Sequence, residues 1–192
     1  MSDAPSTNTA TVEVLTAGYY GHGVASTVGL IRDAGAIVVV DPGMVRARSL
    51  ILDPLAALGI HPDEVTDVVF SHHHPDHTIN AALFPAARYH DHWAIYQDDQ
   101  WTSRDAEGFE VAPSIRLIRT PGHSPEDITT LAHTADGIVA FTRVWWSGEG
   151  PAEDPFADME QLHASRARVL AVADLAIPGH GPSFTPSDVT PR

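Results

Sequence analysis

The chain has 192 residues, 43% of them hydrophobic, which suits one domain with a substantial core and leaves no room for two ordinary ones. It carries 25 acidic against 11 basic residues, a formal net charge of −14 with no basic run, which argues against nucleic acid as a partner and in favour of a small-molecule substrate. Cysteine is absent, so disulfides and thiolate chemistry are excluded and any metal must be held by His, Asp or Glu; no basic leader precedes an apolar run and no stretch has membrane-spanning length, so the expectation is a soluble, cytoplasmic protein without a membrane partner and of undetermined oligomeric state.

Residues 1–10 are small and polar and are expected to form a disordered tail, with a single domain over 11–192. Residues 11–16 alternate Val12 and Val14 with polar neighbours, the period-2 signature of a half-buried strand. A loop rich in glycine and aromatics, 18–23, follows. Residues 26–32 and 36–40 read as two strands joined by the turn Asp33-Ala34-Gly35, and the run Ile37-Val38-Val39-Val40 implies burial on both faces before Asp41-Pro42-Gly43 ends it. Residues 44–58 have helical composition. Because proline is tolerated only in a helix's first turn, Pro54 places an N-cap at Asp53 or a kink just before it, and Gly59 stops the helix. The connection through His61 and Pro62-Asp63-Glu64 leads to a strand over 66–70.

That strand delivers Ser71-His72-His73-His74-Pro75-Asp76-His77. On a tight loop, residues two apart can point the same way, so His72 and His74 can hold one metal while Asp76 and His77, turned by the chain reversal after Pro75, reach a second. Imidazole nitrogen and carboxylate oxygen are the ligands that Zn²⁺ takes at about 2.0–2.2 Å. The alternative is a solvated polar loop at a strand end. Further on, 79–84 reads as a short helix, Arg88-Tyr89 as a strand leading into a second histidine cluster, His90 and His92, and 98–108 as a charged surface loop. A strand over 115–119 delivers Thr120-Pro121-Gly122-His123-Ser124, where glycine permits a turn that swings the imidazole inward. Strands are expected at 128–131 and 138–141, with His133 exposed at their outer end. An acidic, proline-bearing loop over 148–160 is expected to cover the site. The latter part of 156–173 reads as an amphipathic helix with His163 and Arg166 on its polar face. A last strand, 175–177, precedes Pro178-Gly179-His180-Gly181.

His72-x-His74-x-Asp76-His77, then Thr120-Pro121-Gly122-His123-Ser124, then Pro178-Gly179-His180-Gly181 resemble, in this order, the metallo-β-lactamase-fold hydrolase superfamily over nearly the whole chain. Small single-domain members related to metallo-β-lactamase domain-containing protein 1 are the nearest in pattern. The resemblance implies a fold of the α+β or α/β class, a four-layer αβ/βα sandwich with the ligands at one edge where two sheets meet. It implies that His123 completes a three-histidine site with His72 and His74, and that His180 joins Asp76 and His77 at a second. Asp41 would stand behind the metals and orient the ligand loop. The 18–23 loop would flank the mouth, making Tyr19, Tyr20 and His22 candidates to touch substrate. His90 and His92 lie where superfamily ligands do not.

A metal at the first site lowers the pKa of bound water towards about 7 and polarises a substrate oxygen, the chemistry of ester, thioester, lactone or amide hydrolysis. Asp76 would orient the attacking water or return its proton to the leaving group. No Gly-x-Ser-x-Gly elbow offers a different nucleophile. Two readings of other classes stand beside this one: an iron-dependent oxidoreductase on the same frame, and a metal-holding binding protein without catalysis. The chain departs from the family pattern at Thr142-Arg143, where relatives carry a Gly-Asp whose carboxylate bridges or holds the second metal. Without that charge, one Zn²⁺ should bind tightly and a second weakly or not at all, unless Glu149, Glu153 or Asp154 folds back. Arg143 would then clamp an anionic group or point to solvent at its strand end. Trp145 and Trp146 either line the pocket with Tyr19 and Tyr20 or pack the core.

Overall fold

Successive side chains of a strand point to opposite faces, and in this chain both faces of most central strands are apolar, so each sheet must be covered on two sides. The computed structural model, which describes residues 9–192, meets that requirement with two sheets face to face and a helix outside each. The first sheet has seven strands in chain order: β1 (Thr11–Thr16), β2 (Val28–Asp33), β3 (Ala36–Val40), β4 (Asp67–Val69), β5 (Arg88–His90), β6 (Ala94–Gln97) and β7 (Gln100–Ser103). Its pairs are antiparallel except β3–β4 and β4–β5. The second sheet has five strands in the order β12-β11-β10-β9-β8, namely β8 (Glu110–Ala112), β9 (Ile115–Arg119), β10 (Ile128–Thr134), β11 (Gly137–Thr142) and β12 (Leu175–Pro178). Only β11 and β12 run parallel there, joined through the helix α3 (Met159–Leu170). This is the expected αβ/βα sandwich.

Alternation sorts the core into three layers. Ile31, Val38, Val40 and Val69 of the first sheet meet Leu117, Ile128, Val139, Phe141 and Ile177 of the second. Their neighbours Leu30, Val39 and Val68 turn outward onto Ile51 and Leu55 of α1 (Ser49–Ala57). Likewise Ile118, Ala140 and Ala176 turn outward onto Leu162 and Val169 of α3.

Several elements differ from the sequence expectation. α1 begins at Ser49 and continues unbroken through Pro54, because Ile51 and Leu55 on either side of the proline are fully buried and that packing outweighs the lost backbone hydrogen bond. Gly59, at φ +73°, ends it as expected. The helix expected at 79–84 is a single 3₁₀ turn, Ala81–Leu83. Within the supposed loop 98–108, Gln100–Ser103 is an edge strand whose residues are all exposed, so it carries no apolar alternation to betray it. The expected tail 1–10 lies mostly outside the described residues, but Ala10 is buried and its N–H donates to the His133 carbonyl at 2.8 Å. Arg166 is not on a polar face. It is fully buried and donates to the carbonyls of Val144 (2.8 Å), Ala152 (2.5 Å) and Pro151 (3.3 Å), tying the 144–152 segment to α3.

Close approach of the two sheets is set at Gly29, where a Cβ would stand 2.0 Å from Phe141 Cε1. Gly29→Ala should therefore overpack the inter-sheet core and lower unfolding free energy by about 1–3 kcal/mol, read as a lower urea midpoint at unchanged m-value. An unchanged midpoint would show that the ring can move aside without cost.

Candidate metal centre

The end of β3 forms the seat of the site. Asp41 adopts φ +52°, with its N–H bonded to the Val69 carbonyl, and its carboxylate accepts from the Ser71 N–H at 2.7 Å and from His77 Nδ1 at 2.8 Å. Gly43 follows because nothing larger fits. A Cβ there would fall 1.5 Å from the Asp76 carbonyl, which accepts the N–H groups of both Ser26 and Met44. β4 thus runs into a loop held by its neighbours, and a four-residue helix, Pro75–Thr78, reverses the chain so that Asp76 and His77 turn away from His74. Gly122 presses against the Leu162 backbone and presents His123. His180 follows β12, its N–H bonded to the Trp146 carbonyl at 2.7 Å.

Two groups result, His72 with His74 and His123, and Asp76 with His77 and His180, each with its ligand atoms within 4.8 Å of one another. The groups adjoin, the His72 and His77 ring centroids being 4.3 Å apart. Each buried imidazole has its Nδ1 engaged by protein: His72 by Ser71 Oγ (3.1 Å), His77 by Asp41, His123 by Asp154 Oδ2 (2.8 Å) and His180 by the Ala25 carbonyl (2.9 Å). The carbonyl and carboxylate partners accept, so Nδ1 carries the proton and Nε2 keeps its lone pair for the site. His72 Nε2 and His77 Nε2 are buried without a hydrogen bond, and His123 Nε2 faces His74 Nδ1 at 3.2 Å, close to the edge of about 3.3 Å expected for two nitrogens sharing one tetrahedral zinc. The donor set fits a divalent cation.

Residues 22–186 match the metallo-beta-lactamase superfamily profile. The chain belongs to that superfamily. It is 34% identical to metallo-beta-lactamase domain-containing protein 1 of Homo sapiens over 160 residues, 77% of this chain and 59% of that protein, and 33% identical to the Xenopus laevis protein of the same name over 162 residues, 77% and 67%. An uncharacterized Caenorhabditis elegans protein is 30% identical over 176 residues, and the chain spans only 49% of its length. Among solved structures, a Thermotoga maritima protein assigned to the metallo-beta-lactamases superimposes with a TM-score of 0.74 at 20% identity, over 93% of this chain and all of that one. A quorum-quenching N-acyl homoserine lactone lactonase gives 0.65 at 20%, over 90% and 91%, and TTHA1623 in a di-iron-bound form gives 0.65 at 21%, over 88% and 94%. At these identities the likeness of structure is one of fold.

The remaining residues sort by where this metallo-β-lactamase fold puts them. A cavity of about 240 Å³ over the two groups is lined by Tyr20, Val24, Arg143, Trp146 and Phe156 together with His74, Asp76, His123 and His180. Arg143 turns inward, 3% exposed, so the solvent-pointing alternative is excluded. Trp146 lines the cavity, but Trp145 does not: it is fully buried in the α3 layer and donates from Nε1 to the Pro191 carbonyl at 2.8 Å. Tyr19 lines a neighbouring cavity that shares Tyr20 and His180, and His22 is exposed and lines neither. His90 is buried on Asp67 at 2.7 Å, and neither it nor His92 joins a ligand group among the described residues. Asp154 does fold back, though onto the far nitrogen of His123 and not into the second group, while also accepting from Trp146 Nε1 at 2.7 Å. Burial opposes its charge, but hydrogen bonds from Phe156, Trp146 and His123 hold its pKa below the usual value. Phe156, stacked on Trp146 with centroids 6.3 Å apart, had no local sequence signal.

Burial, reinforced by surrounding cationic groups, pushes His72 well below its ordinary 6.5 and both His123 and His180 down to about 4. These groups are neutral at pH 7, as metal ligation requires. Between the unfolded value of about 6.5 and the depressed folded values, the unfolded chain binds more protons, so stability is full above that window and lost as pH falls through it. Burial lowers His74, His90 and His92 as well, whereas His73, raised by its hydrogen bond to Asp91, and Asp127, raised by burial to about 6, act in the opposite sense, two groups against six. The urea midpoint of the metal-free protein should therefore drop between pH 7 and pH 5, before most carboxylates titrate; a flat midpoint over that range would contradict the assignment.

Proposed function

We propose that the protein is a metal-dependent hydrolase, with zinc as its metal, acting on a small ester, thioester, lactone or amide. The observation that carries this reading is the convergence of five imidazoles, four of them backed at Nδ1 by a protein acceptor or hydroxyl, at a cleft that can admit a small molecule. His72, His74 and His123 would hold the tight metal, with Asp76, His77 and His180 forming the second position. When bound, the metal supplies Lewis acidity and lowers the pKa of water at its open position. Asp76, whose Oδ2 lies 3.4 Å from His77 Nε2 and 3.6 Å from His180 Nε2, would take a proton from the attacking water and return it to the leaving group. Asp41 and Asp154 fix the rings of His77 and His123. Tyr20, Trp146 and Phe156 line the cleft beside the two groups. The lactonase fold neighbour supports an ester-like substrate, and the di-iron neighbour keeps an iron-dependent oxidoreductase as the second reading. Stoichiometric iron in the purified protein would favour the latter.

His72→Ala or His123→Ala should lower first-site affinity by more than the roughly 10–100-fold typical of losing an orienting partner, and abolish hydrolysis. Normal metal content with full activity in either variant would refute the ligand set. His90→Ala should leave metal content unchanged.

The second position is electrostatically disfavoured. Two divalent ions would face one carboxylate, Asp76, and the Arg143 guanidinium, whose Nη2 lies 3.5 Å from His123 Nε2. An arginine cannot shed its charge to relieve this. Calorimetric titration should show one tight equivalent and one much weaker, with Arg143→Ala tightening the weaker. Two equivalents of similar affinity, unaffected by that substitution, would defeat the charge argument.

A further inference from the structure

The chain buries two arginines in very different ways. Arg166 is fully enclosed and bonded to three backbone carbonyls. Arg143 is 3% exposed, and its Nε and Nη1 are buried with no hydrogen-bond partner. Its Nη2 has only His123 Nε2, at 3.5 Å, and its guanidinium carbon lies 5.4 Å from the Trp146 ring centroid. The carboxylates that surround it are committed elsewhere. Asp127 accepts from the Ser124 N–H and hydroxyl, Asp154 from His123, Trp146 and the Phe156 N–H, and Asp41 from Ser71 and His77. Asp76 faces His77 and His180. A guanidinium carries five donors in a rigid fork, and a buried cation without acceptors is strongly destabilising unless something else supplies them. Among the described residues nothing does so. The group lines the 240 Å³ cavity beside His74, Asp76 and His123, walled by Trp146 and Phe156.

We propose that Arg143 binds an oxyanion of the substrate, a carboxylate or a phosphate, so that this cleft selects small anionic esters, thioesters, lactones or amides over neutral ones. The word substrate rests on the hydrolase reading; binding of the anion does not. The fork matches two oxygens of a planar carboxylate or of a phosphate, and the burial of Arg143 limits the water that would otherwise screen the pair. The apolar remainder of such a molecule can extend past Tyr20 and His180 into the adjoining cavity, which both residues also line.

The test is calorimetric binding of inorganic phosphate and, separately, acetate to the full-length protein as purified, with metal content measured in every sample. At least one anion should bind the wild type, and the tighter of the two identifies the substrate's charged group. Compared at matched metal content, Arg143→Gln should weaken it by at least about tenfold, with Arg143→Lys intermediate because it keeps the charge and loses the fork. Should Arg143→Gln fail to fold, the Arg143→Lys loss carries the comparison. No binding of either anion to the wild type, or equal affinity in wild type and variants, would overturn the proposal. Arg143-dependent binding without turnover of any ester would leave it standing and sink the hydrolase reading instead. If turnover is found, Arg143→Gln should raise KM for an acid-bearing ester by a larger factor than KM for its neutral amide analogue; equal factors would overturn the proposal.

Discussion

Asp41 joins three separate pieces of chain: its carboxylate accepts from the Ser71 N–H and from His77 Nδ1, and its carbonyl accepts from the Ser26 hydroxyl at 2.8 Å. The left-handed backbone at this residue, unusual for anything but glycine or a short polar side chain, is what aims the carboxylate back across the end of β4. Without that anchor the ligand loop would hang from one strand end and a four-residue helix, too little to hold imidazoles to the tolerance that metal binding demands. Gly43 then lets the following turn lie directly on the Asp76 backbone, so both ligand groups share one rigid seat.

Around that seat the fold repeats a single device. Each buried histidine of the two ligand groups is held at Nδ1, His77, His123 and His180 by a carboxylate or carbonyl from another segment and His72 by the neighbouring Ser71 hydroxyl, which sets ring orientation and leaves Nε2 for the site. The burial that depresses the histidine pKa values also keeps the rings neutral, and therefore competent as ligands. The same low-dielectric setting makes an unpaired charge expensive, so Arg143 stands out beside Arg166. The two differ in partners, not in depth. Arg166 serves the architecture by holding the segment that carries Trp146 and Asp154 against α3, whereas Arg143 has its donors turned toward the cleft.

Most of the architecture was legible because it depends on local patterning: β1, β3 and β9 fall where period-2 alternation or a β-branched run places them, and the glycine at 59 stops α1. Misreadings occurred where tertiary packing overrode local chemistry. Pro54 was expected to start a helix at Asp53 or to kink one just before it, whereas Ile51 and Leu55 hold one helix through it, and β7 is exposed throughout because, as an edge strand, it has no covered face to mark it.

The sequence alone marked His72, His74, Asp76 and His77, because metal-binding residue types at short fixed spacings are a local signature, and its resemblance to the superfamily implied His123 and His180 and marked the departure at Arg143. Only the tertiary structure decided which way neighbouring side chains turn. Trp145 enters the core while Trp146 walls the cleft, and consecutive residues leaving a strand end face opposite sides for reasons that lie in the partners across the fold. It likewise decided that Asp154 would orient His123 and leave the second group unaided, since a carboxylate 31 positions away acquires its role only when the loop carrying it is fastened by Arg166 on another helix.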